Sequence, residues 1–358
     1  MLGLPPALQG SRQRRIRRGM LIHSTAPRPP VGRTPHVLVH RQNKLRLRHY
    51  PSPSPSSSRR PPVVVVPSMI NRATICDLES DRSLVGGLAA LGHDVYLVDW
   101  GIPGPEDAGQ SMADLVLDLL HRAIDRACRH AGAQRAFLLG YCLGGTVAAI
   151  YAALRPARVH GLVALNTPVQ FSEGGRLARF ARAEADHLQT ILSPDRLVPV
   201  ELMAAAFQML DPVGIVRKYE ALDAARQDPV RLARALARER WIEEQVPMPG
   251  TLALELVRHA YQQDRLVAGT WALSDESVDL GAIRCPLLVC TAKRDFIVPM
   301  PSALPLAELA GAADVTVERL DAGHIGAVVG RFGPIHFYPL LDRWFRSRPA
   351  PTGGRSSL

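Results

Sequence analysis

A cysteine held between glycines is the first place in this chain where side chains could do chemistry. Gly140-Tyr141-Cys142-Leu143-Gly144-Gly145 is a G-x-nucleophile-x-G pattern, with a thiol where a serine hydroxyl usually stands. The apolar run Ala136-Phe137-Leu138-Leu139 leads in, and a helix-forming run from Thr146 to Leu154 leads out. A strand–turn–helix step of this kind projects the nucleophile at a helix N-terminus, where N–H groups and the dipole favour negative charge. The thiolate is the reactive form of cysteine and gains from that setting.

Two partners follow downstream. Asp295 comes shortly after the apolar run Pro286–Cys290, and His324 comes after Val315–Leu320. Each follows a predicted strand, where an open parallel sheet places its site. The order nucleophile, acid, histidine is that of α/β-hydrolases. The separations are 153 residues from Cys142 to Asp295 and 29 from Asp295 to His324. The long one leaves room for an inserted cap. In this reading His324 deprotonates Cys142, and Asp295 holds the imidazole tautomer and stabilises its charged form. Each residue also has a plainer reading. Cys142 could be a buried structural thiol. Asp295 could cap a helix that starts near Pro301. His324 could be a loop histidine. The three together, in this order and context, favour the catalytic reading.

The positive charge of the chain sits at one end. The formal net charge is +10 over 358 residues, yet residues 1–60 hold thirteen Arg or Lys and no Asp or Glu. The rest carries 30 basic and 33 acidic side chains, which gives no support to a nucleic-acid-binding body. The five cysteines (Cys76, Cys128, Cys142, Cys285, Cys290) form no metal-ligand pattern, and nothing in the sequence asks for a cofactor. Their odd number and scatter fit a reducing cytoplasm. No apolar run reaches membrane-spanning length, and the N-terminus lacks the apolar core of a secretory signal.

The elements alternate as a doubly wound α/β sheet requires. His36–Tyr50 reads as an edge hairpin and Pro51–Pro62 as a surface connection. Val63–Val66 reads as a strand buried on both faces. Helix Ser83–Leu91, strand Asp94–Val98, amphipathic helix Met112–His130 and strand Val159–Leu165 follow. From Phe171 the pattern turns helical, with segments 177–192, 199–210, 230–240 and 251–261, and no strand fits there. The expected division is a disordered basic tail over 1–34, a first core part over 35–170, a helical cap over 171–263, a second core part over 264–347, and a disordered tail over 348–358. The N-terminal arginines read either as a patch for an anionic surface or as an extended reading frame with Met20 as the start.

On these residues the chain resembles the polyhydroxyalkanoate synthases, most closely the short class III catalytic subunit. The resemblance rests on the elbow Gly140–Gly145 and on the segments 77–83, 92–101, 167–171, 278–286 and Gly323-His324-Ile325-Gly326. It spans roughly His36 to Arg346. It implies an α/β-hydrolase fold and an acyltransferase that polymerises (R)-3-hydroxyacyl-CoA with release of CoA. Cys142 would carry the growing chain as a thioester, His324 would be the base, and Asp295 the acid that also helps to activate the incoming 3-hydroxyl. The oxyanion hole should use the Leu143 N–H and an N–H near Ser68-Met69-Ile70. The implied partners are a second, non-homologous subunit, further copies of the chain, and the surface of a polymer granule in the cytoplasm. Two positions depart from the family pattern: Met69, where an aromatic is usual, and Phe296, where a histidine usually follows the acid.

Two other functions share these features. One is a cysteine-dependent thioesterase, esterase or polyester depolymerase on the same fold. The cysteine argues against it, because acyl transfer benefits from a thioester that water attacks slowly. The other is a non-catalytic granule-associated protein, which an intact triad does not favour.

Overall fold

Four consecutive valines set the layering of this protein, whose computed structural model describes residues 6–53 and 60–349. Strand β3 (Val63–Val66) is fully buried. Val64 and Val66 point into one core cluster, and Val63 and Val65 into the other. Both faces of the sheet are therefore covered, as near-continuous apolar strands require.

The sheet has eight strands: β1 (Val37–Gln42), β2 (Leu45–Tyr50), β3, β4 (Val95–Asp99), β5 (Ala136–Tyr141), β6 (Val159–Leu165), β7 (Leu287–Ala292) and β8 (Val315–Leu320). Their spatial order is β1-β2-β4-β3-β5-β6-β7-β8. The β1–β2 hairpin joins antiparallel at one edge, and the pairs from β4 to β8 are parallel. Helix α2 (Leu84–Ala90) and the C-terminal helix Tyr338–Arg346 cover one face, and α3 (His121–Ala131) and α4 (Leu143–Leu154) the other. The strand order reverses direction around β3, so the C-terminal ends of β3, β5, β7 and β8 open on one crevice.

The chain leaves this sheet after β6 and returns to it at β7. Between them stand α5 (Gly175–Ala183), α6 (Ala185–Ile191), α7 (Val200–Leu210), α8 (Gly214–Ala225), α9 (Pro229–Glu243) and α10 (Gly250–Glu255). Three details of this stretch differ from expectation. This stretch contains a two-residue strand pairing, Leu197–Val198 with Met248–Pro249, too short to leave a period in the sequence. The expected helix 177–192 is broken at Glu184, and α8 had no counterpart among the expected elements.

The N-terminal segment differs from the expected disordered tail. Residues Pro6–Thr25 form a twenty-residue helix, α1, packed along α8. Arg12 pairs with Glu220 at 2.7 Å, and Arg18 grips buried Asp223 through two bonds of 2.7 and 3.1 Å. Arg28, just beyond the helix, pairs with Glu243 of α9 at 2.8 Å. Gly19 lies so close to the Tyr219 backbone that a Cβ there would collide with its carbonyl. The sequence shows these arginines as a basic patch for an anionic surface or as an extended reading frame, because their acidic partners lie about two hundred residues away. Residues 1–5, 54–59 and 350–358 lie outside the described residues, which takes in part of the expected surface connection and nearly all of the expected C-terminal tail. Among the described residues no helix is long and apolar enough to cross a membrane.

Candidate active site

The chain turns sharply where β5 ends and α4 begins. Cys142 occupies that turn with φ 56° and ψ −132°, a conformation that costs a non-glycine residue on the order of 1–3 kcal/mol. Its N–H donates to the Leu165 carbonyl at 3.0 Å, which holds the turn against β6. The glycines make the crossing feasible. Gly140 faces the Cα of Gly145, and a Cβ on Gly144 would strike the carbonyls of Val66 and Pro67. The start of α4 thus lies directly against the end of β3.

Asp295 sits in the loop after β7, and its carboxylate is held at three points. Oδ1 accepts the N–H groups of Ile297 and Val298, both at 2.9 Å. Oδ2 accepts a hydrogen bond from Nδ1 of His324 at 2.6 Å. Both side chains are buried. The bond to Asp295 leaves Nε2 as the free ring nitrogen, and the imidazole is within hydrogen-bonding reach of Cys142. Burial pulls the His324 pKa down, but the Cys142 charge and the bonds to Asp295 and Cys142 outweigh it, so the pKa rises above the ordinary histidine range. The structure thus brings together the three residues that the sequence singled out.

Asn166 and Tyr141 position this group and were not singled out in the sequence, while Trp241, expected there as an apolar residue of the cap, lines the cavity beside it. Asn166, at φ 45°, donates from Nδ2 to the His324 carbonyl at 3.1 Å and accepts the Ala292 N–H at 2.8 Å. Tyr141 donates to the same His324 carbonyl at 3.3 Å, and its ring lies 5.1 Å from the imidazole. Trp241 of α9 donates from its indole to the Arg72 carbonyl at 2.9 Å. The one sequence signal for Asn166 was an Asn directly after a strand, a residue type that tolerates the left-handed region.

Leu143 is the first residue of α4, so its N–H has no carbonyl a turn back within the helix. Ser68-Met69-Ile70 follows β3 beside the carbonyls that face Gly144. Ser68 and Ile70 line the cavity over Cys142, while the Met69 side chain is buried in the core. The departure at Met69 therefore alters core packing. The departure at Phe296 alters the cavity wall, where the ring is about half exposed.

That cavity measures about 200 Å³ and is partly covered by residues of the segment inserted between β6 and β7. Phe207, Leu210 and Asp211 come from the end of α7, and Trp241 and Ile242 from α9. The cap is fastened to the loop after β3: Val246 N–H bonds the Ile70 carbonyl at 3.2 Å, and Asn71 pairs with Gln245. The volume suits an acyl group but not an entire acyl-CoA.

The other four cysteines are buried away from this arrangement, and burial pushes their thiols up, Cys285 to about 12. Cys285 and Cys290 face opposite core clusters. Among the described residues no group of three or more His, Cys, Asp or Glu could hold a metal ion.

Comparison with known proteins fits this geometry. Residues 61–330 match the family model described as the alpha/beta hydrolase fold. A monoglyceride lipase variant from Saccharomyces cerevisiae superposes with a TM-score of 0.57 at 12% identity, covering 91% of this chain and all of that one, which concerns the fold alone. A protein named poly(3-hydroxyalkanoate) polymerase subunit PhaC, from Allochromatium vinosum, is 30% identical over 94% of this chain and 95% of its own length. One of the same name from Haloferax mediterranei is 31% identical over 89% of this chain, and this chain spans 65% of that relative's length. The chain belongs to the polyhydroxyalkanoate synthase family of the α/β-hydrolase superfamily.

Proposed function

We propose that this chain polymerises (R)-3-hydroxyacyl-CoA into polyester, with Cys142, His324 and Asp295 as its catalytic group. The observation that carries this reading is a cysteine, not a serine, in the elbow of a buried His–Asp pair, within a chain whose relatives are named poly(3-hydroxyalkanoate) polymerase.

His324 Nε2 takes the Cys142 proton, and Sγ attacks the carbonyl of the acyl-CoA thioester. The N–H groups of Leu143 and Met69 receive the developing oxyanion. The CoA sulfur leaves and takes the proton from His324, so one thioester replaces another at little free-energy cost. The 3-hydroxyl of a second acyl unit then loses its proton to His324 and attacks the Cys142 thioester. This forms the ester bond and returns the proton to the thiolate. Asp295 holds the imidazole throughout. The mostly apolar lining of the cavity disfavours water as a competitor of the hydroxyl.

The relatives' names call them subunits, and a second subunit is the partner this reading expects. Purified protein given 3-hydroxybutyryl-CoA should release CoA together with insoluble polymer. Cys142→Ala should leave circular dichroism intact and reduce turnover to the order of a per cent or less. Cys142→Ser should divert what activity remains toward free hydroxyacid, since an ester is a poorer acyl donor. CoA release with only free hydroxyacid from the unaltered chain would replace this reading with a thioesterase.

A further inference from the structure

A second cleft lies between cap and core on the histidine side of the catalytic cavity. It measures about 740 Å³ and is lined by five arginines and one carboxylate, Glu79. Arg231, Arg234 and Arg238 come from α9, where their i, i+3, i+7 spacing puts them on one face. Arg82 and Arg331 come from the core, Arg331 shortly after the loop of His324. Arg234 is paired with Glu79 at 3.0 Å and with Asp81. Among the described residues, the side chains of the other four make no ion pair and no hydrogen bond. Arg231, Arg238 and Arg331 are exposed and Arg82 is half-buried near Glu79, so the cleft offers four guanidinium groups whose donors are free for an anion.

The size, charge and position of the cleft select a ligand class. Its volume is that of a small-molecule site. Guanidinium forks match phosphate oxygens two at a time. Ile325, the neighbour of His324, lines both this cleft and the catalytic cavity, so one side chain stands between the two spaces. The catalytic cavity is too small for a whole CoA thioester, whose 3′-phosphate and diphosphate must lie outside it. We propose that the arginine cleft binds the phosphorylated nucleotide end of the CoA thioester, with the pantetheine arm passing Ile325 to Cys142; this rests on the polyester-synthase reading. Because α9 and the core both contribute arginines, the bound phosphates also tie the cap to the core.

The test compares 3-hydroxybutyryl-CoA with 3-hydroxybutyryl-pantetheine, the same thioester without phosphates. Two paired variants address the two sides of the cleft: Arg231→Gln with Arg238→Gln, and Arg82→Gln with Arg331→Gln. Each should raise the ratio of KM for the CoA thioester to KM for the pantetheine thioester by about tenfold or more. A ratio that stays within about twofold in both variants overturns the proposal. Calorimetry with adenosine 3′,5′-bisphosphate gives a readout independent of turnover. The unaltered chain should bind it, and both variants should bind it about tenfold more weakly. If neither thioester is turned over by the unaltered chain, the synthase reading fails while this titration still judges the cleft. Equal binding by chain and variants, or equal displacement by inorganic phosphate at the same concentration, overturns it. Melting temperatures confirm that each variant folds, and either pair alone suffices.

Discussion

Asn166 holds the main-chain carbonyl of His324 from 158 residues away, through a bond of 3.1 Å. The same side chain accepts the Ala292 N–H, so one amide fixes the end of β7 and the loop of His324 together. Asn166→Ala leaves both buried groups with one partner fewer. A loss of about 1–3 kcal/mol in stability is expected, with a fall in kcat larger than the change in KM. Chemical denaturation and steady-state kinetics read the two. A variant that is destabilised but keeps its kcat would make Asn166 a structural tie only.

His324 is held protonated beyond the ordinary histidine range, against the opposing effect of burial, by the Cys142 charge and by bonds to Asp295 and Cys142. The sign follows from the direction of that shift. Stability from this proton is full below the unfolded value near 6.5 and is lost as pH rises through the raised folded value. NMR titration of the His324 ring should therefore show a lower apparent pKa in Cys142→Ala and in Asp295→Asn than in the unaltered chain. A titration that neither substitution moves would separate the ring electrostatically from both partners.

The indole of Trp241 bonds the Arg72 carbonyl and, with the Val246–Ile70 bond, fastens the cap beside the loop after β3. Trp241→Phe keeps the ring in the cavity wall and removes that bond, worth about 0.5–1.5 kcal/mol. Cap opening should become up to about tenfold more frequent, seen as faster hydrogen exchange in α7 and α9. If opening of this segment gates the reaction, CoA release by the unaltered chain begins with a lag, and that lag should shorten in the variant. Faster exchange with an unchanged lag would remove the cap as the gate.

A chain beginning at Pro27 loses α1 and its contact with α8. Buried Asp223, whose pKa is lowered first by its bond to Arg18, then keeps only Arg226. That lowered pKa contributes stability above the unfolded value near 3.9, lost as pH falls through the folded value. Truncation should lower the melting temperature at neutral pH and flatten its decline on the acid side. Exchange in α8 should quicken. Unchanged melting and exchange would return residues 6–26 to the status of a dispensable tail.

The sheet was legible because its signals are local. Val63–Val66 needs no partner in sequence to read as a doubly covered strand. Gly140, Cys142, Gly144 and Gly145 stand within six residues, so the turn they form is specified in one place. Asp295 and His324 could be found for the same reason, each placed by the strand before it. The segment 171–263 was legible in kind but not in detail, since a helix break at Glu184 and a two-residue strand pairing leave no periodic trace.

The sequence by itself determined the sheet and the family and picked out Cys142, Asp295 and His324, because each signal is encoded in residues adjacent along the chain. Only the tertiary structure decided what surrounds them. Asn166 reaches His324, Trp241 reaches Arg72, and Arg18 reaches Asp223 across separations of 158, 169 and 205 residues. Arginines spaced along α9 become one wall of a cleft because the fold sets Arg82 and Arg331 opposite them. The physical reason is that a side chain's partner, and with it its charge state and burial, is chosen by the fold and not by its sequence neighbours.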